Sequence, residues 1–307
     1  EACFEDVLDN DGISECSIPI RVRIAIKSDR IKVDFSGTAD QVRGPVNAVL
    51  AVTASATYYA IRAFADPDIP PNSGCYRPIE ITAPEGTIVN ACLPAPVVGG
   101  NLETSQRIVD VVLGALGTLA PERSMAACQG SMNNLAIGGI DPRSGKPFTV
   151  YETMAGGFGG RPTKDGIDGI HSHMTNTLNT PIEALETSYP LRVERYELRP
   201  GTGGKGQYRG GLGLRRDIMC MAPTARLSFL TDRRISQPYG VEGGEPGARG
   251  RNVIIRDGEE IVLPAKGTAT LHVGDIISIQ TPGGGGYGPA TKRDPVAIDQ
   301  DRREDRL

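Results

Sequence analysis

The chain has three histidines, and two of them, His171 and His173, stand in the run Asp165-Gly-Ile-Asp168-Gly-Ile-His171-Ser-His173-Met-Thr-Asn176-Thr-Leu-Asn179-Thr-Pro. In an extended segment, residues two apart project to the same face, so both imidazoles would converge on one ion, phosphate or substrate oxyanion. The same period carries Thr175, Thr177 and Asn179 along that face and leaves Met174, Asn176 and Leu178 on the other. His171, His173 and Asp168 are thus the candidate acid–base groups, with Asn176 and Asn179 as substrate contacts. A metal site would need a further ligand, which Asp165, Asp168 or Glu152 supplies only if the fold brings it near. Histidines that merely hydrogen-bond a turn fit the same pattern.

Upstream, Glu152-Thr-Met-Ala-Gly156-Gly157-Phe158-Gly159-Gly160-Arg161 is too glycine-rich for an ordinary strand. Backbone without Cβ atoms at Gly157 and Gly159 can approach a ligand closely, and successive N–H groups can form an anion nest, although a flexible hairpin reads equally well. Asn133 and Asn134 offer neutral donors and acceptors for a ring amide, or else stabilise a turn. Glu103, Gln106 and Arg107 follow the Gly99-Gly100 turn at the start of a helix, outside its apolar stripe, where they can meet a ligand or simply face solvent. Other glycine clusters carry no nucleotide signature. Gly201-Thr-Gly-Gly-Lys-Gly206 lacks the ending of a P-loop, and no dinucleotide fingerprint or Gly-x-Ser-x-Gly elbow occurs. Gly210-Gly-Leu-Gly213 and Pro282-Gly-Gly-Gly-Gly-Tyr287-Gly288 read as turns at strand ends.

The elements that must position these groups are legible in part. Glu5 to Gly12 reads as an acidic loop; Val22, Ile24, Ile26 and then Ile31, Val33, Phe35 alternate around Ser28-Asp29 as a hairpin. A buried helix is expected behind Gly44-Pro45 up to Phe64, and a second one, capped by Thr104 or Ser105, with Ile108, Val111, Val112, Ala115, Leu116 and Leu119 at helical spacing. Beyond Leu135 the pattern is of short strands: 191–198, 214–221, 226–230, 252–255, 261–263, 268–271 and 276–279. The predicted fold is α+β and β-rich, with mixed sheets, two long buried helices in the N-terminal half and a mostly β C-terminal half. The expected organisation is an α+β domain over residues 1–135, a Gly-rich β domain over 136–289 and a charged tail over 290–307, a surface helix or frayed.

Bulk numbers narrow the class. With 33 basic and 37 acidic residues the chain has no basic field for a phosphate backbone, so nucleic acid is not an expected partner. No apolar run of membrane-spanning length and no signal-peptide pattern occurs, and a cytoplasmic protein is expected. The six cysteines form no CxxC pair and read as reduced thiols. The 39 glycines exceed the roughly 21 that average usage would give. The first residues, Glu-Ala-Cys, suggest a processed chain or fragment.

Taken in register, eight of these patches resemble the hydantoinase B/oxoprolinase family: 34–38 with Gly44-Pro-Val-Asn47, Gly99 to Arg107, Tyr151 to Gly160, Asp168 to Pro181, Arg199 to Gly204, Gly210 to Gly213, Asp232-Arg-Arg234 and Thr281 to Gly288. The resemblance implies a subunit of an ATP-dependent enzyme that opens a small cyclic amide such as a hydantoin, 5-oxoproline or another lactam. It further implies a hetero-oligomer with a hydantoinase A-type partner that binds ATP. A sister branch of the family carboxylates ketones, and a non-catalytic scaffold that docks the ATPase is the alternative from another class. Family members are longer at the N-terminus, where an Asp- and His-rich region looks like a divalent-metal site; the N-terminal part of the same subunit would then be a partner of this chain.

Overall fold

The computed structural model describes residues 1–307. Its first sheet has the order β1-β2-β3-β4, built from Ala2–Leu8, Ile18–Lys27, Arg30–Asp34 and Ile79–Thr82, antiparallel except for the parallel β3–β4 pair. Period-two alternation decides its faces: Ile18, Ile20, Val22 and Ile24 are buried while Arg21 and Arg23 face out. Helices α1 (Leu50–Ala65) and α3 (Glu103–Leu119) close the core by placing Ala56, Ala60, Ile108, Val111 and Val112 against it. A short α2 (Ser73–Tyr76) lies between them in sequence. Every residue of α3 from Glu103 to Gly117 is buried, polar ones included, so this helix is central and not amphipathic at a surface.

The C-terminal half is a two-sheet sandwich. Four strands run in the order β12-β9-β5-β6, drawn from Lys266–His272, Thr224–Leu230, Asn134–Ile140 and Pro147–Thr153. Five more run β11-β10-β13-β8-β7, from Glu259–Leu263, Arg251–Arg256, Ile276–Gln280, Leu214–Cys220 and Leu191–Leu198. Leu135, Ile137, Leu227 and Phe229 of one sheet share a core with Ile218, Ile254, Ile277 and Ile279 of the other. The fold is α+β and β-rich, and all seven expected C-terminal runs are strands.

Several expectations need correction. Glu5 to Leu8 belongs to β1, because the alternating partners of β2 give its backbone a ladder. Helix α1 starts at Leu50, since Pro45 and Val46 form a turn tied down by the Asn47 side chain, which donates to the Val42, Gly44 and Pro96 carbonyls, and Val49 is extended. Neither Thr104 nor Ser105 caps α3; Ser105 turns its hydroxyl back to the Asn101 and Leu102 carbonyls, 3.0 Å each. Helix α4 (Ile182–Ser188) has no strong sequence signal. The charged tail ends in α5 (Pro295–Arg303), pinned by buried Asp301, which accepts from Arg209 Nε and Arg293 Nε at 3.0 Å.

The glycine clusters are not turns but a packed layer of extended segments. Along Pro282 to Tyr287, successive amides donate to different neighbours: Gly284 to Gly211 (2.9 Å), Gly285 to Ala127 (2.8 Å) and Gly286 to Glu245 (2.9 Å). Donors that rotate about the axis at each residue are the signature of a three-residue-per-turn chain such as polyproline II. Neighbours so close leave no room for side chains. A Cβ at Gly157 would overlap the Gly211 carbonyl oxygen and the Gly284 nitrogen, and would lie 2.7 Å from the Gly283 carbonyl carbon.

A cluster of ions joins the first sheet to the sandwich. Asp6 of β1 accepts from Arg107 (3.0 Å) and Arg233 (2.6 Å), and Asp110 accepts from the same two guanidiniums at 3.0 Å each. Asp232 accepts from Arg107 (2.9 Å) and Lys266 (3.0 Å). Asp9, just past β1, receives the backbone N–H groups of Arg234, Ile235 and Ser236. No helix is long and apolar enough to cross a membrane.

The packed glycine layer makes a direct test. Gly157→Ala should cost more than about 3 kcal/mol in urea denaturation, since only backbone can yield to the new methyl. Gly145→Ala, at a φ of +70° with open space around it, should cost about 1–2 kcal/mol. Equal costs at the two positions would contradict the close-packed layer.

Candidate functional site

The first turn of α3 lies between the 170–173 segment and the ends of β5 and β6. Glu103 Oε1 accepts from the Met132 amide (3.2 Å) and from Asn134 Nδ2 (3.1 Å), while its Oε2 is buried without a partner. One turn on, Gln106 donates to the Ser172 carbonyl at 3.0 Å and leaves its own Oε1 unpartnered. On the segments they are bonded to, both ring nitrogens of His171, the Ser172 hydroxyl and the Thr153 hydroxyl are also buried and unpartnered. Thr153 is tied to this place by its pairing with Asn134, and Ile170 by two hydrogen bonds with Gly156. Buried polar atoms are nearly always satisfied, so these orphans, on segments joined through the first turn of α3, outline a polar recess where water or a ligand would complete the bonding.

His171 and His173 do not share a face. His173 has a left-handed backbone (φ 55°), which breaks the extended run, and its ring packs between Tyr59 of α1 and Phe158, with centroids 5.7 Å away from each. Its Nδ1 sits 3.3 Å from the Tyr59 hydroxyl, and burial holds the imidazole down to about 4. His171 is also shifted down by burial, so both rings are neutral near pH 7 and His171 keeps a free lone pair. Burial pushes Glu103 up to about 7, helped by the negative charge of Asp232 and opposed by Lys266. Its carboxyl is therefore poised between acid and base near neutrality.

The remaining expected site residues fall elsewhere. Arg107 is wholly buried and held by Asp6, Asp110 and Asp232, so the first turn of α3 does not offer it to a ligand. Asp168 is engaged by Arg209 at 2.7 Å and receives the Leu212 amide, which fastens the histidine loop to the glycine layer. Asn133 accepts from Arg234 and donates to Gln129 and the Met154 carbonyl, an internal tie. Gly157 and Gly159 are buried in the glycine layer, with no nest facing a ligand. Asn176 is exposed, and Asn179 donates to the Tyr196 hydroxyl. Glu103 and His171 are brought to the recess; Asn134 links it outward, since its Oδ1 accepts from exposed Tyr151 (2.5 Å) on a cleft of about 330 Å³ that Leu102 and Lys266 also line.

Ser172, Thr153 and Tyr59 were not readable as site residues. Ser172 had the weak signal of standing between two histidines, whereas Thr153 comes near α3, and Tyr59 near His173, only through tertiary packing. The possible third metal ligands are spent: Asp165 pairs with Arg293, Asp168 with Arg209 and Glu152 with Arg216. No group of three His, Cys, Asp or Glu side chains gathers to hold a metal ion, so this chain's own residues do not fit one.

Residues 1–290 match the family model described as Hydantoinase B/oxoprolinase. An uncharacterised protein of Methanocaldococcus jannaschii is 48% identical over 99% of this chain and 53% of its own length. The 5-oxoprolinase 1 of Arabidopsis thaliana is 41% identical over 92% of this chain and 21% of its own. Among solved structures, the ATP-dependent caprolactamase from Pseudomonas jessenii superposes on the whole chain with a TM-score of 0.82 at 26% identity, covering 55% of that protein. A nucleotide-free acetone carboxylase structure gives the same TM-score at 17% identity over 98% of this chain and 47% of its own, which speaks for the fold alone. The chain thus spans about half of one curated relative and about a fifth of the other.

The raised Glu103 carboxyl has a signed consequence. Its folded value lies above the ordinary 4.5, so its stabilising contribution is complete below pH 4.5 and is lost as pH rises through about 7. Glu103→Gln keeps the shape and removes the titration. Its stability relative to the parent should rise by on the order of 3 kcal/mol between about pH 4.5 and pH 8. A difference independent of pH would show that the carboxyl is not titrating there.

Proposed function

Because the chain belongs to the hydantoinase B/oxoprolinase family, we propose that it is part of an ATP-dependent cyclic amidohydrolase and forms one wall of the site where a lactam-type ring is opened. The observation that carries this reading is the recess of unpartnered buried groups, Glu103 Oε2, Gln106 Oε1, the His171 nitrogens and the Ser172 and Thr153 hydroxyls. A small amide, with one donor and one acceptor on a compact apolar ring, is a ligand that such a mixed lining can satisfy. ATP, bound by a hydantoinase A-type partner in a cytoplasmic hetero-oligomer, would supply the phosphoryl group that activates the amide oxygen.

With the carbonyl so activated, the remaining work is to position water and move protons. Adding water to the carbon requires a proton acceptor, and breaking the ring C–N bond requires a proton donor at nitrogen. Neutral His171, whose ring nitrogens have no other partner, suits the first task. Glu103, substantially protonated near neutrality, suits the second. His173, wedged against Tyr59 and Phe158, positions the loop that bears His171.

The test is turnover by the complete subunit assembled with its ATP-using partner, followed as ring-opened product and as ADP. His171→Ala should lower product formation by about 10²–10⁴-fold, with His173→Ala weaker but in the same direction. Unchanged turnover in a folded complex would make this chain a docking scaffold. ADP formation that depends on bicarbonate and a ketone would instead assign the chain to carboxylation.

A further inference from the structure

The fully buried arginines of this protein are all paired with acids. Arg107, Arg209, Arg216 and Arg233 each hold a carboxylate within 3.0 Å. Arg234 does not. Its guanidinium meets only neutral oxygens: Asn133 Oδ1 (2.8 Å), Asn252 Oδ1 (3.2 Å from Nε, 2.7 Å from Nη2) and the Asp232 carbonyl (2.6 Å). These use four of its five N–H groups, leaving one on Nη2 free. An ion in this position costs free energy, and burial holds Arg234 down to about 10 although the charges of Glu103, Asp9 and Asp232 oppose the shift.

Arg234 stands on the wall of a cleft of about 550 Å³ that is separate from the recess at α3. Lys266 and Arg251 also line it. Lys266 uses one hydrogen bond, to Asp232 at 3.0 Å, and its ammonium has further donors. Arg251 is paired with Glu260 at the exposed side, where such a bond is weak. The acidic side chain on the lining is Glu15, which is exposed. Gly250 completes the wall, and a Cβ there would sit 2.7 Å from Arg234 Nη1, so the glycine keeps the guanidinium clear.

We propose that this cleft, walled by Arg234, Arg251 and Lys266 beside Gly250, is a binding site for a doubly charged oxyanion, a phosphoryl group. Three cationic side chains lining one cleft, from a loop and from the starts of strands in the two sheets, suit an anion with three charged or partly charged oxygens better than a carboxylate with two. The site does not depend on the reaction proposed above, and binding can be measured without turnover. The same phosphoryl chemistry could arrive as free phosphate or on an organic molecule.

Calorimetric titration of the purified protein with inorganic phosphate, against sodium chloride at equal ionic strength, reads the site. Saturable binding is expected, weakened at least ten-fold by Arg251→Ala, which removes a side chain at the exposed rim and so spares the fold. Glu15→Gln should tighten binding, because it removes the one lining acid. Phenyl phosphate binding in the same variant-sensitive way would assign the site to a phosphoryl group on an organic carrier, and exclusion of the ester would assign it to free phosphate; either supports the proposal. Heat that tracks ionic strength alone, acetate binding as tightly as phosphate, or phosphate binding that survives both Arg251→Ala and Arg234→Met would overturn it.

Discussion

Three aspartates, Asp6, Asp110 and Asp232, meet three cations, Arg107, Arg233 and Lys266, between the N-terminal sheet and the C-terminal sandwich. Taking these carboxyls and cations out of water is expensive, enough to push Asp110 up to about 8 against the pull of Arg107, and the cost is met only when each group keeps its partners in place. That requirement fixes distant parts of the chain at once: β1 through Asp6, α3 through Arg107 and Asp110, the loop after β9 through Asp232 and Arg233, and β12 through Lys266. Two hydrophobic cores, one under the first sheet and one inside the sandwich, could each form separately. The ion cluster makes their relative placement specific, since an apolar interface tolerates sliding and a six-membered charge lattice does not.

The recess inherits its geometry from this lattice. Arg107 is anchored one turn along from Glu103 and one residue beyond Gln106, so the first turn of α3 cannot turn about its axis without breaking ion pairs. Asp232 also acts at a distance on the recess, since its negative charge helps lift the Glu103 carboxyl toward neutrality. From the opposite side, Asp168 and its guanidinium partner Arg209 fasten the histidine loop to the glycine layer. Arg107 and Asp168, which look catalytic by type, are here the clamps that hold the loop and helix bearing His171 and Glu103.

Much of the fold was legible because it is periodic. Alternation in β2 and the short C-terminal runs follows from burying one face against a core, and the apolar residues of α3 keep helical spacing although the helix is buried on every side. Glu103 and His171 were legible as polar residues next to a glycine turn and in a His-x-His run. What escaped the sequence depends on long-range partners. Asp6, in what looked like an acidic loop, finds Arg233 across the whole chain. The glycine layer has no periodic signal, because its donors rotate in three directions toward segments far apart in sequence. His173 was placed wrongly beside His171 because its left-handed backbone depends on the Tyr59 and Phe158 wedge, which local spacing does not reveal.

The central claim, that the ion lattice couples the two halves, is tested most directly by a double-mutant cycle on Asp6 and Arg233 in denaturant unfolding. Asp6→Asn and Arg233→Met should each cost about 3–5 kcal/mol, because each strands a buried charge, while the double variant should cost clearly less than their sum. Single costs below about 1 kcal/mol that simply add would contradict it, and would leave the two cores as independently placed bodies.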